Sequence, residues 1–247
     1  MKIERSFTFA FKGPGSAKKL FLGGLFSLLF FTVFFAFVVV GYIMLVLCNA
    51  LEGRDAKLPE WTDFGARFNE GLQPVLVMLA YCSPIVILFI VEIQLAALST
   101  FIGVYLLPVL TIIGLIVSVL LPLALIRCVV NGSFKASFEF GKIFSYIKEN
   151  PGTYFTAWGL SIAVTTAAGL ASITVLLGAV GLQMAVGGPA SYLSGIAALL
   201  VFCFTYFVAN IIAVHLYAQA YRASTPFEDD QEGTIRASMA VPPPLRG

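Results

Sequence analysis

The chain has 247 residues, of which 59% are hydrophobic and 11% are charged, and its formal net charge is +2. A soluble domain carries about 25% charged residues because water must wet its surface. The composition therefore excludes an ordinary soluble globule and predicts an all-α integral membrane protein. The small net charge, with no basic patch that carries stacking aromatics, predicts no nucleic-acid partner.

Charge is confined to four islands along the chain. They are residues 1–19, 49–71, 127–150 and the tail from Arg222, and Glu92 is the single charged residue outside them. Three apolar blocks, 20–48, 72–126 and 151–221, lie between the islands. Together they predict one transmembrane domain over residues 1–222.

The first block follows a basic N-terminal stretch, which is the order of a signal peptide. Its 29 residues exceed the roughly 7–15 of a signal peptide's apolar core, so we expect the segment to be retained. A helix needs about 20 apolar residues to cross a bilayer. Block 20–48 therefore predicts either one long span or a hairpin of two short helices.

Each of the other two blocks is long enough for two spans. We expect a turn near Ser99–Thr100 in the second block, and the breaker cluster Gly181–Pro189 predicts one in the third. The sequence thus predicts a helical bundle of about 4–6 transmembrane segments.

Orientation follows from the basic residues. If the first block is a hairpin, all 15 basic residues share one face, as the positive-inside rule prefers. We therefore expect a multi-pass protein of the cell (inner or plasma) membrane with its charged islands cytoplasmic and its uncharged turns on the other side.

Apolar residues recur at helical spacing inside the first three islands, which predicts short amphipathic helices at the membrane interface. The first carries Ile3 and Phe7, and the third carries Phe140 and Phe144. In the second island the apolar positions are Trp61, Phe64 and Phe68, predicted as interfacial anchors, whereas Asp63, Arg67 and Glu70 are expected to stay wet.

Several short motifs sit on these segments. Gly41-Tyr42 is followed by Leu58-Pro59-Glu60-Trp61, by Asp63-Phe64 and by Gly71-Leu72, and Asn131-Gly132-Ser133-Phe134 comes later. Over roughly residues 5–220 the chain resembles a bacterial and archaeal family of membrane proteins, the domain of unknown function 4013. The resemblance implies a helical membrane fold and no particular activity.

Three polar residues inside the apolar blocks are candidates for function. Glu92 is costly in a bilayer, and such residues often serve as a relay or a partner contact. His215 and Gln219 form an i, i+4 pair on the last span. His215 is a weak candidate for cofactor binding, but interhelical hydrogen bonding is the commoner role of such a residue. We predict no cofactor and no metal site, since the four cysteines are dispersed.

Small residues recur four apart at Ala163, Ala167 and Ala171, a spacing that lets helices approach closely. We expect this row to pack inside the chain, with contact to another subunit as the alternative. The polar tail, 223–247, is too poor in apolar residues to fold alone. It is expected to be disordered or to dock on a partner.

These features favour a non-catalytic membrane protein, a scaffold or accessory subunit of a larger membrane assembly. Its expected partners are the lipid bilayer and other membrane-protein subunits. The alternative is a small transporter or channel with Glu92 in the pathway, since such folds use broken helices and midplane polar groups. An enzyme is not predicted, because no catalytic set of residues is recognisable.

Overall fold

The computed structural model describes residues 3–54, 57–98, 100–186 and 188–224. These residues form eight α-helices and two short 3-10 helices, without a strand. The α-helices are α1 (Ile3–Phe9), α2 (Ser16–Leu28), α3 (Val33–Leu51), α4 (Phe64–Leu98), α5 (Thr100–Asn131), α6 (Phe140–Glu149), α7 (Pro151–Val186) and α8 (Pro189–Ser224). The polar tail from residue 225 onward, for which disorder or docking was predicted, lies outside the described residues.

Five helical segments are long and apolar enough to cross a membrane. They are Val33–Leu51, Phe64–Leu95, Leu106–Asn131, Pro151–Ala185 and Leu193–Ser224. The predicted all-α membrane bundle is confirmed, and the chain is a multi-pass membrane protein.

The first apolar block forms a hairpin. The 3-10 helix Leu29–Phe31 and the extended residue Thr32 separate α2 from α3. Lys19, near the start of α2, lies beside Leu58, which follows α3. The two helices therefore form a hairpin, as in the second of the two predicted alternatives. With 13 residues, α2 is about 20 Å long, less than the roughly 30 Å of a bilayer core.

The two long hairpins turn close to the predicted positions. Helix α4 ends at Leu98 and α5 begins at Thr100, while α7 ends at Val186 and α8 begins at Pro189. Before Pro189, Gly188 adopts a φ of 71°, which glycine reaches without strain. Ser99 itself lies outside the described residues.

Polar contacts fix the antiparallel register of α7 and α8. The Ser161 hydroxyl lies 2.8 Å from the Tyr217 hydroxyl, and the Ser172 hydroxyl lies 2.9 Å from that of Thr205. The paired numbers run in opposite directions, as in a hairpin.

Helices α3 and α8 run in the same direction. The rings of Tyr42 and Phe207 are 6.0 Å apart, and further along both helices Arg222 donates a hydrogen bond of 3.3 Å to the carbonyl of Ala50. Residue numbers thus rise together on the two helices.

Helices α3 and α4 also run in the same direction. The rings of Phe34 and Phe68 stack at 5.4 Å, and Gly41 contacts Gly71 one to two turns further on. The segment between the helices must therefore run back along α3, and the Tyr42 hydroxyl donates a hydrogen bond of 3.0 Å to Pro59 in that segment.

This parallel packing decides where the hairpin turns lie. The α4–α5 turn follows the C-terminal end of α4, whereas the α7–α8 turn precedes the N-terminal end of α8. Because α3, α4 and α8 run in one direction, the two turns point towards opposite ends of the bundle. The sequence had predicted one shared side for both turns, and the packing of α4 on α3 does not give that arrangement.

The short segments between the blocks differ from one another. Helices α1 and α6 are separate short helices at two of the predicted amphipathic positions. The second island has no helix of its own, since Phe64 is the first residue of the long α4. Arg67 and Glu70 were expected to be wet, but α4 packs this face on α3, and their side chains are only 12% and 4% exposed.

Candidate functional site: the polar junction between the helices

Lys19 holds the connecting segment Leu58–Trp61 against α2. Its ammonium group donates a hydrogen bond of 2.8 Å to the carbonyl of Leu58 and pairs with Glu60 at 2.6 Å. In return, the indole of Trp61 donates a hydrogen bond of 2.9 Å to the carbonyl of Lys19. Since the Lys19 side chain is 8% exposed, these contacts also supply the partners that a buried ammonium group needs.

Tyr42 fastens the same segment to α3. Its ring stacks on Trp61 with 3.9 Å between centroids, and its hydroxyl binds the carbonyl of Pro59. The Gly-Tyr and Leu-Pro-Glu-Trp motifs, separate in the sequence, thus form one contact.

Arg67 and Glu70 form a buried ion pair on α4, between Nη1 and Oε2. Glu70 also lines a small polar cavity of about 50 Å³. The cavity is lined by Asn69, Glu70, Gln73, Pro74, Cys128, Val129 and Gly132. A water molecule needs a cavity of roughly 10–15 Å³, so a polar cavity of this size has room for water. The cavity can therefore hydrate the buried carboxylate.

A second ion pair lies at the C-terminal end of α3. Arg54 pairs with Glu52, whose side chain is 1% exposed. Arg222 of α8 reaches the carbonyl of Ala50 in the last turn of α3. A cation at this position is favourable, because the last carbonyls of a helix carry partial negative charge.

The third island has its own charged cluster. Glu139 pairs with Lys142 at 3.0 Å and with Arg127, whose Nε donates a hydrogen bond of 3.2 Å to the carbonyl of Ala136. The hydrogen bond from Lys142 and the nearby charges of Lys142 and Arg127 hold the pKa of Glu139 below its usual value. The carboxylate therefore stays ionised near neutral pH.

Tyr146 joins α6 to the end of α8. Its hydroxyl donates a hydrogen bond of 3.2 Å to the carbonyl of Ala220, and its ring stacks on Tyr221 at 5.3 Å. Burial raises the pKa of the Tyr146 phenol, so the group remains a neutral donor.

His215 lies at the contact between α1 and α8. Its Nδ1 is 2.9 Å from the hydroxyl of Ser6, and Gln219 donates a hydrogen bond of 2.9 Å to the same hydroxyl. Phe9 stacks on the imidazole at 4.4 Å, and His215 is fully buried. The structure thus joins the predicted pair His215 and Gln219 to Ser6. In this position His215 fastens the first helix to the last.

Glu92 lies away from this junction. It is half-buried, and its neighbours Val91 and Ile93 are 42% and 49% exposed. It follows Glu70 by 22 residues on α4, a distance of about 33 Å along the helix. The structure therefore does not bring Glu92 together with His215 or Gln219.

The predicted anchors Trp61, Phe64 and Phe68 all take part in ring contacts. Phe26 lies 5.0 Å from Trp61 and 5.5 Å from Phe64, and Phe68 stacks on Phe34. Phe64 remains 38% exposed. Their anchoring role in the interface stays a prediction.

The row of small residues on α7 is not packed inside the chain. Ala163, Ala167 and Ala171 are all exposed, because Ser161 and Ser172 turn a different face of α7 towards α8. The expectation of internal packing was therefore wrong for this row.

Sequence reasoning missed the roles of Lys19, Tyr42, Arg67 and Glu70. The motif containing Tyr42 and Trp61 was a usable signal, since both residues belong to the family pattern. For Arg67 and Glu70 the helical spacing pointed to a solvated face, and only the packing of α4 on α3 buries them. Within the described part of the chain, no group of three His, Cys, Asp or Glu side chains is placed to hold a metal ion.

Comparison with known proteins identifies a family. A family model described as "Protein of unknown function (DUF4013)" matches residues 24–180, more than half of the chain. The match includes α3 to α6 and most of α7 but excludes α1 and α8. No curated protein and no solved structure matches the chain.

Proposed function

Because the chain belongs to the DUF4013 family, whose function is unknown, we propose a role from its geometry: a non-catalytic scaffold or accessory subunit of a larger membrane assembly. Its partners would be the lipid bilayer and other membrane-protein subunits, with no nucleic acid. We place it in the cell (inner or plasma) membrane.

The observation that carries this proposal is the outer face of α7. Only 11% of its candidate span is buried, and the exposed part includes the row Ala163, Ala167 and Ala171. Membrane helices associate where small residues let their backbones approach closely. A helix of another subunit fits this row.

The amphipathic helix α6 supports the same role. Phe140 and Phe144 are exposed on it, whereas Ile143 is fully buried against the bundle. We propose that the two phenylalanines enter the headgroup boundary and keep α6 parallel to the membrane. A helix fixed in this way would hold the bundle at a defined depth beside its partner.

The alternative, a small transporter or channel with Glu92 in its pathway, has less support. Glu92 lines neither the polar cavity beside Glu70 nor the two apolar cavities beside Met78, and its neighbours on α4 are exposed apolar side chains. Flux through the reconstituted protein that is lost in Glu92→Gln would favour this alternative.

Substitution Ala167→Trp tests the proposed subunit contact. The bulky ring keeps a partner helix away from α7, so we expect the variant to lose about nine-tenths of the partner that co-purifies in mild detergent, a tenfold weakening of about 1.4 kcal/mol. Native gel electrophoresis and quantitative mass spectrometry measure the loss.

The matched control is Ala197→Trp, the same change at an exposed alanine of α8 outside the row. It should leave the assembly intact. A wild-type chain that migrates strictly as a monomer, or an equal loss in both variants, would contradict the proposal.

A further inference from the structure

Two neighbouring cavities form a cleft between α2, α3, α4, α5 and α8. Their volumes are about 300 Å³ and 340 Å³. Four residues line both cavities: Ile43, Met78, Tyr206 and Asn210. The two spaces are therefore adjacent parts of one cleft.

The lining of the cleft is mainly apolar, and several of its polar groups are bound to the protein. Asn210 donates a hydrogen bond of 2.9 Å to the carbonyl of Tyr206, and Ser27 donates one of 2.7 Å to Gly23. The Tyr217 hydroxyl is paired with Ser161. A mainly apolar lining suits an apolar occupant better than ordered water.

The cleft is not the surface that we propose for a partner helix. The exposed row that suits a partner helix is elsewhere, on α7.

The surroundings of the cleft identify what can enter it. Four of the five helices that line the cleft, α3, α4, α5 and α8, contain candidate membrane spans, so the medium outside its mouth is lipid hydrocarbon. An acyl chain is narrow, flexible and apolar, and it needs no hydrogen-bond partner. Because the acyl chain enters from hydrocarbon and not from water, the gain comes from dispersion contacts, which fill a void that would otherwise lack them.

We propose that this cleft binds one acyl chain of a membrane glycerophospholipid. Met78 is central to the site, because its flexible side chain lines both cavities and adapts to an irregular occupant. This inference is independent of the proposed subunit contact on α7.

The test uses the full chain reconstituted with a phosphatidylethanolamine that carries a photoactivatable diazirine in one acyl chain. After illumination, mass spectrometry maps the labelled residues. Before illumination, a detergent wash removes the lipid probe from the outer faces of the protein. We expect labels on cleft residues such as Ile43 and Met78 after this wash.

Substitution Met78→Trp fills the centre of the cleft and should lower its labelling about tenfold, which corresponds to about 1.4 kcal/mol. Leu79→Trp is the matched control, since Leu79 is the next residue on α4 and is 60% exposed. It should label like the wild type.

A second variant distinguishes a local block of the cleft from misfolding of the whole protein. Ala213 lines only the larger cavity, so Ala213→Phe should reduce labels there and retain those beside Cys203, which lines only the smaller one. Label confined to outer faces in the wild type, or unchanged cleft labelling in Met78→Trp, would overturn the proposal.

Discussion

Replacing Gly41 with alanine is expected to destabilise the bundle by roughly 3 kcal/mol or more, above the usual cost of overpacking because the obstacle is backbone. A Cβ at Gly41 would overlap the carbonyl oxygen of Arg67, and one at Gly71 would overlap that of Phe37. The two glycines lie opposite each other where α3 crosses α4. Gly71→Ala should therefore have an effect of similar size.

Thermal unfolding in detergent measures the effect, and two other helical glycines are controls. A Cβ at Gly114 or Gly159 meets nothing within 4 Å. Alanine at either should be neutral or stabilise by up to about 1 kcal/mol, because it favours the helix. If Gly41→Ala were as stable as Gly114→Ala, the close contact of α3 and α4 would be wrong.

Substitution Arg67→Met is expected to cost about 3–5 kcal/mol, the range for leaving one charge of a buried pair uncompensated. The Glu70 side chain is only 4% exposed, so removing the cation leaves a largely buried carboxylate without its charge partner. The double variant Arg67→Met/Glu70→Met should recover most of the loss, since it removes both charges. Chemical denaturation in detergent micelles gives the comparison.

The exposed pair of Lys142 and Glu139 is the control for charge removal. Their side chains are 67% and 42% exposed, so Lys142→Met should cost at most about 1 kcal/mol. A double variant no more stable than Arg67→Met alone would show that Glu70 is not the cause of the instability.

The hairpins were predictable because apolar length and breaker residues are local signals. Helix α7 ends at Val186 and α8 begins at Pro189, inside the predicted breaker cluster. The direction of α4 was not predictable in this way. From the sequence alone, successive membrane helices are expected to alternate in direction. In the structure, the segment between α3 and α4, which Lys19 and Tyr42 bind, runs back along α3.

The predicted polar pair of His215 and Gln219 shows the same limit. Their i, i+4 spacing is visible in the sequence, but Ser6, which binds both, precedes His215 by 209 residues. The burial of Glu70 was also not predictable, since its spacing along the helix is that of a solvent-exposed face. Contacts across such separations depend on packing, which no local pattern encodes.

Cross-linking of paired cysteines tests the parallel packing of α3 and α4 most directly. In a chain with alanine at its four native cysteines, Phe34→Cys with Phe68→Cys should react with a short thiol cross-linker, because the native rings stack at 5.4 Å. If the helices instead crossed antiparallel at Gly41 and Gly71, Phe34 would face Met78. Cross-linking of Phe34→Cys with Met78→Cys, without the first product, would contradict the parallel packing and the opposed hairpins that follow from it.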